Sequence, residues 1–213
     1  MKLEKIKVYD LEESILASGY PMRTELDEEI NPKSYKRCYN LTKASNGNGA
    51  HGQWLTGVRV AFDLTCTNKM WIEAARYRFL EFVSSQSTMH RITKFNLDEA
   101  YNEYVDPRVI EIMKEKVAEY NDLCNAIVPQ SCEEMEKHNQ LKKQKYLEIL
   151  YTNPAGFELT ARMTTNYRCL LNIYVQRHDH RLPEWREFCQ KLLELPMFPE
   201  IVQAYYDGKL SEI

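Results

Sequence analysis

The most restrictive stretch of the sequence is GVRVAFDLTC at 57–66, in which Val58, Val60, Phe62, Leu64 and Cys66 alternate with Arg59, Ala61, Asp63 and Thr65. A period of two puts the first set on one face of a strand, so the chain must build a sheet with that face covered. From Lys69 the period lengthens. Trp71, Ile72, Ala75, Phe79, Phe82 and Val83 fall on one side of a helical wheel, which predicts a helix packing that side inward. KIKVYD at 5–10 reads as a short strand, and LEESILAS before Gly19 as a short helix stopped by glycine. Residues 20–54 carry little periodicity and read as loop. Asp106-Pro107 starts a helix through VIEIMKEKVAEYNDLCNAI, and Ser131 with Glu134 makes a capping box for EEMEKHNQLKKQKYLEILY, a charged, solvated arm. A helix is expected over roughly 160–177 and another from Pro183, with MFPEIVQAYYDGKL close to the chain's end. The fold class is α+β: one helix-rich domain over 1–213 with a small antiparallel or mixed sheet.

Composition excludes several classes. Hydrophobic residues make up 44% and charged ones 28%, with 7 Gly and 8 Pro, which is globular rather than disordered or fibrous. A formal net charge of -3 argues against binding a nucleic acid polymer and leaves room for a local basic pocket. The six cysteines, at 38, 66, 124, 132, 169 and 189, form no CxxC pair and read as reduced thiols of a cytoplasmic protein. No run of about 20 apolar residues predicts a membrane span, and MKLEKIKVYDLEES has no apolar leader core.

Two stretches carry candidate chemistry. RYRFLEFVSSQSTMHR at 76–91 sets Arg76 and Arg78 two apart, then Ser84, Ser85, Gln86 and Ser87, then His90-Arg91. On a helix, positions i and i+2 diverge, so the two arginines must serve different partners, among them ligands, a neighbouring subunit, or a carboxylate such as Glu73 or Glu81. Ser85, Gln86 and Ser87 supply short donors that suit a phosphate or a pyrimidine edge, or else a plain helix-ending turn. TTNYRCLLNIYVQR at 164–177 offers Asn166 as a helix cap, Arg168 and Asn172 on one face, and Arg177 eleven residues past Asn166, about 16 Å along the axis. SNGNGAHG at 45–52 is a glycine-rich loop where backbone approaches a ligand closely, or a mere excursion. Cys66 and Cys169 read as small core residues, not nucleophiles. His178 and His180, with no third ligand nearby, do not make a metal site.

The chain resembles the flavin-dependent thymidylate synthases over about 57–195, nearest to divergent, phage-like members. The Asn-x-Arg, Asn, Arg pattern is met by Asn166, Arg168, Asn172 and Arg177. Arg76 and Arg78 match the outer residues of an Arg-His-Arg motif, with Phe62 fourteen residues ahead of Arg76. The chain departs from the pattern at Tyr77, which stands for the histidine. Ser85 or a neighbour stands for an acid, Gln86-Ser87 needs one inserted residue, and Arg91 comes two positions late. Gly57 occupies the place of another histidine, for which His51 is a substitute, and Lys145 is the nearest match to a further arginine. The resemblance implies FAD as cofactor, lying between dUMP and methylenetetrahydrofolate at the subunit interfaces of a homotetramer, with NADPH as reductant and dTMP as product. A hydroxymethylated pyrimidine nucleotide, or a non-catalytic flavin- or nucleotide-binding homologue, is the alternative. It further implies that Arg177 polarises the pyrimidine and that Arg76, Tyr77, Arg78, Asn166, Arg168, Asn172 and His51 contact FAD. Ser85, Gln86, Ser87 and Arg91 would hold the dUMP phosphate. An Arg177 facing ligand from an exposed position is expected to carry little folding stability.

Overall fold

The computed structural model describes residues 1–26, 29–45, 50–127 and 131–210. In chain order the elements are β1 (Lys2–Tyr9), α1 (Leu11–Ala17), α2 (Pro32–Ser45), a 3-10 segment (Ala50–Thr56), β2 (Arg59–Thr67), α3 (Asn68–Ala74), β3 (Glu81–Ser85), α4 (Thr88–Arg91), α5 (Pro107–Asn125), α6 (Cys132–Thr152), β4 (Glu158–Asn166), α7 (Tyr167–Arg177), α8 (Pro183–Leu192) and α9 (Phe198–Leu210). The four strands form one small antiparallel sheet in the order β1-β2-β4-β3, within an otherwise helical α+β chain. Among the described residues no helix is long and apolar enough to cross a membrane. By contacts the chain divides into two compact units: Met1–Thr65, Ile72–Ser84 and Ala161–Ile213, and then Cys66–Trp71 with Ser85–Thr160.

In the first unit the alternation of β2 works as the sequence predicts. Val58, Val60, Phe62 and Leu64 are fully buried, and so are Ala161 and Met163 of β4. Leu170, Leu171 and Ile173 of α7 and Trp185 and Phe188 of α8 are buried as well, with the Phe62 and Phe188 rings 5.9 Å apart. Each such side chain contributes about 1.5–3 kcal/mol by leaving water. On the opposite face of β2, the Asp63 carboxylate joins Lys5 of β1 (2.9 Å) to Arg162 of β4 (3.1 Å). The hydrogen bond from Lys5, with help from Arg162, holds this carboxyl below its usual range. β1 takes an irregular step between Glu4 and Lys7, where Lys5 adopts φ 49°.

Three sequence expectations are corrected here. Residues 20–54 are not all loop, because 32–45 form α2, capped by the Asn31 side chain, which accepts from the Lys33 (2.9 Å) and Ser34 (3.3 Å) amides. Its buried stripe is Ser34, Cys38 and Thr42, small residues four apart that leave no apolar period to read. The helix expected from Lys69 through Val83 stops at Ala74, and 81–85 add β3 at the sheet edge instead. Phe79, Phe82 and Val83, whose spacing suggests a helical core face, are exposed. The helix expected over 160–177 is a strand followed by a helix. Ala161, Met163 and Thr165 alternate inward up to Asn166, and α7 begins at Tyr167. Within SNGNGAHG, positions 46–49 lie outside the described residues, and 50–56 form the 3-10 segment.

The second unit has its own core of Ile92, Leu97, Ala100, Met113, Ile149 and Phe157. Phe157 receives the rings of Phe95 and Tyr101 edge-on at 5.1 and 5.3 Å. Both caps predicted for α5 and α6 form: Asp106 Oδ1 accepts from the Arg108 amide (2.9 Å), and Ser131 Oγ accepts from the Glu134 amide (3.3 Å). Met113 and Ile149 are the buried residues of α5 and α6 among those described, so most of both helices is solvated. Gly156 sits so close to Val105 that an added Cβ would lie 2.3 Å from Val105 Cγ2. Gly156→Ala should therefore lower stability in urea unfolding by about 1–3 kcal/mol. With Val105→Ala in the background the cost should fall by about 1 kcal/mol, because that clash is gone.

Candidate functional site

Arg177, at the end of α7, lies in a nest of side chains from the first unit. Its Nη1 donates to Glu73 Oε2 of α3 (3.0 Å) and its Nε to the Tyr77 hydroxyl (2.8 Å). The same Glu73 oxygen accepts from Trp185 Nε1 (3.0 Å) and lies 3.6 Å from His180 Nε2. The guanidinium carbon stands over the Trp185 ring at 5.1 Å and the Tyr77 ring at 5.7 Å. The Tyr77 hydroxyl donates in turn to Gln176 Oε1 (3.0 Å). Burial pushes the Tyr77 phenol up, with the Arg177 charge opposing, so it stays protonated at neutral pH. The Arg177 and Glu73 side chains are only 17% and 16% exposed. Little water is left to screen the pair, so its geometry is set by the protein. None of these bonds uses Nη2, whose two N–H groups are the donors left to a ligand.

A second group surrounds a cavity of about 420 Å³ lined by Ser14, His51, Gln53, Trp54 and Gly57 among others. Arg168 Nη1 donates to Gln53 Oε1 (2.6 Å), which ties the first turn of α7 to this wall. Trp54 Nε1 is buried and has no hydrogen-bond partner among the described residues. A buried indole N–H without an acceptor is costly, and it marks this wall as one that a ligand acceptor would complete. Asn166 is 6% exposed and its Oδ1 accepts from the Cys169 amide (3.0 Å), so it caps α7 as the sequence predicts. Asn172 is half-buried, while Arg76 and Arg78 are exposed in the turn after α3, Arg78 over the Phe79 ring at 5.6 Å. That turn is not helical, so the i, i+2 divergence expected of these two arginines does not apply.

In the second unit Ser85 ends β3 and is exposed. Gln86 continues the strand pairing with Thr160: its amide donates to the Thr160 carbonyl (2.9 Å) and its Oε1 accepts from the Thr160 amide (2.9 Å). Ser87 precedes α4, and Arg91 is exposed at the helix end. Lys145 is paired with Glu119 at 2.8 Å. The sequence singles out Arg177 but not the carboxylate that holds it: Glu73 is read there as a partner for Arg76 or Arg78. Gln53, Trp185 and His180 carry no signal beyond packing or an H-x-H pattern. The two histidines of that pattern face different ways, since His178 stacks on Tyr174 at 5.4 Å while His180 faces Glu73. Of the cysteines, Cys38, Cys66, Cys169 and Cys189 are buried and Cys124 and Cys132 exposed, with burial pushing the Cys189 thiol up to about 12.

The sequence matches no family model and no curated protein. The fold does match solved structures. One is the crystal structure of the flavin-dependent thymidylate synthase ThyX from Helicobacter pylori complexed with FAD and dUMP: TM-score 0.63 and 16% identity over 95% of this chain and 97% of that one. A second structure of the Helicobacter pylori enzyme, with FAD and dUMP, gives a TM-score of 0.62 and 16% identity over 98% and 99% of the two chains. The chain therefore has the fold of the flavin-dependent thymidylate synthases.

Two measurements follow from the geometry. Arg177→Ala removes the guanidinium from a carboxylate with little solvent around it, so it should lower unfolding free energy by about 2–4 kcal/mol in urea, contrary to the small effect expected from sequence. A loss under about 0.5 kcal/mol would show that the pair contributes no more than a surface contact. In native protein at pH 8, iodoacetamide should label Cys124 and Cys132 and leave the four buried thiols unmodified by peptide mass spectrometry, because the thiolate is the reactive form.

Proposed function

We propose that this chain is an FAD-dependent enzyme that converts dUMP to dTMP with methylenetetrahydrofolate as carbon donor and NADPH as reductant, in a homotetramer with interfacial sites. The observation that carries the reading is positional: Asn166, Arg168, Asn172 and Arg177 lie in order along α7 and its cap, in a chain whose fold is that of enzymes solved with FAD and dUMP. The donors present fit a flavin. Gln53, His51 and Trp54, whose indole N–H has no partner among the described residues, line one cavity, Arg168 is bonded to its Gln53, and a flavin carries the carbonyl, ring-nitrogen and phosphate acceptors such donors require.

When bound, FAD would supply the reduction of the transferred carbon. The protein's part is binding and polarisation. Arg168, Asn172 and His51 hold the cofactor, with Asn166 fixing the start of the helix that presents Arg168 and Asn172. Tyr77 contributes by its ring and by holding Arg177. Arg76 and Arg78, exposed beside it, meet phosphate groups through the planar guanidinium fork. Arg177 directs Nη2 at a pyrimidine carbonyl, where a fixed positive charge stabilises the negative charge that develops as the ring reacts. Glu73 is a positioning residue for it. Ser85, Gln86, Ser87 and Arg91 serve the dUMP phosphate. Tyr77, where the related enzymes have histidine, favours a second reading with the same substrates and a hydroxymethyl product.

The test is purification with added FAD, followed by incubation with dUMP, methylenetetrahydrofolate and NADPH and mass analysis of the nucleotide. Yellow protein and dTMP are expected. A hydroxymethylated nucleotide selects the second reading. Colourless protein that takes up no FAD overturns both and leaves a homologue that keeps only the fold.

A further inference from the structure

The H-x-H pattern between α7 and α8 leaves one histidine unexplained. His178 stacks on Tyr174, whereas His180 stands against the Arg177 guanidinium, with Nε2 2.7 Å from Nη1. A guanidinium nitrogen only donates, so at that distance Nε2 is a bare acceptor and the proton of the neutral ring belongs on Nδ1. Yet the Leu182 amide lies 3.2 Å from Nδ1 and is aligned as a donor to it. A neutral imidazole has one acceptor nitrogen, and here two donors are aimed at the ring. The shorter contact, from a charged donor, decides in favour of Nε2.

The backbone beneath the ring is held. Arg186 Nη1 of α8 donates to the His180 (2.5 Å) and Arg181 (3.1 Å) carbonyls. The groups that face the ring are Glu73 from α3 and Arg177 from α7, with the Tyr77 hydroxyl and the Cys189 thiol within reach of the guanidinium, and Asp179 and Arg181 flank it along the loop. Burial keeps the Tyr77 phenol and the Cys189 thiol protonated, and guanidiniums keep their charge. His180 and Glu73 are therefore the facing groups that exchange protons.

We propose that His180 is a positioning residue that works as a proton-operated latch on Arg177. Neutral, its Nε2 lone pair holds Nη1 and so fixes the plane of the guanidinium and the direction of its Nη2 edge. Protonated, Nε2 becomes a donor. It repels Nη1 and turns to Glu73 Oε2, 3.6 Å away, an oxygen that already accepts from Nη1 and Trp185 Nε1. Arg177 then loses its bond to the ring and shares its carboxylate with a competing cation. Histidine makes this change between about pH 5 and 8, so the fixed presentation of Nη2 is lost as the pH falls. The inference deepens the reading above by placing a control on the arginine assigned there to the pyrimidine, and rests on that reading only for what Nη2 meets.

The test follows the ring protons by long-range proton–nitrogen NMR, in full-length protein isotope-labelled at histidine, tryptophan and arginine nitrogens, from about pH 8 down to about pH 5. At the upper end His180 should carry its proton on Nδ1 with Nε2 bare. As the ring takes up its second proton, two other signals should shift with the same midpoint: the Trp185 indole N–H, identified by its loss in Trp185→Phe, and the Arg177 Nε–H, identified by its loss in Arg177→Lys. In His180→Gln, whose amide oxygen accepts at every pH, both signals should stay still over that range, and in His178→Gln they should move as in the wild type. A proton on Nε2 at the upper end, Trp185 and Arg177 signals that ignore the His180 midpoint, or a step that survives in His180→Gln would overturn the proposal. The first two outcomes are read in the wild type and need no variant to fold. No flavin or nucleotide enters the assay: dTMP formation without the coupled titration sinks this inference alone, and the coupled titration in a protein that takes up no FAD sinks the reading above alone.

Discussion

The arrangement in the first unit depends on one poorly solvated ion pair, Glu73 with Arg177. A lone carboxylate with so little water around it would be costly, and here it is met by a guanidinium at 3.0 Å and an indole N–H at 3.0 Å. The pair also connects elements far apart in sequence: Glu73 comes from α3, Arg177 from the last turn of α7, and Trp185 from α8. Replacing it by well-packed apolar groups would serve stability as well or better, whereas removing one partner alone leaves the other charge poorly solvated.

The rest of the unit fixes the two ends of α7. At its start, β4 delivers Asn166 to cap the helix, and Arg168 reaches Gln53 within the first turn. At its end Arg177 is clasped as described. Between them Leu170, Leu171 and Ile173 are buried, so the helix cannot rotate without exposing them.

What could be read from sequence divides along physical lines. β2 was legible because its alternation is strong and its buried residues large, and α5 and α6 because Asp106 and Ser131 announce them by cap chemistry. α2 was not, because Ser34, Cys38 and Thr42 pack tightly without being hydrophobic. β3 misled for the opposite reason: Phe79, Phe82 and Val83 have helical spacing and large apolar side chains, yet all three are exposed, Phe79 in the turn before β3 and Phe82 and Val83 at the sheet edge, where strand pairing overrides the pattern. The residues on α7 were legible as a pattern. Their partners Glu73, Gln53 and Trp185 were not, since which carboxylate meets which arginine is settled by tertiary packing. Tyr77 shows the gain from coordinates most clearly. It is a departure from a motif in the sequence, and in the structure it is a second anchor for Arg177.

The central claim is that Glu73 and Arg177 act as one unit, and a thermodynamic double-mutant cycle tests it most directly. Stability is measured in urea for the wild type, Glu73→Gln, Arg177→Gln and the double variant. The account predicts a coupling energy of about 1.5–3 kcal/mol, the double variant losing much less than the two single losses combined. Additivity within about 0.5 kcal/mol would contradict it, because the two groups would then be neighbours that do not depend on each other.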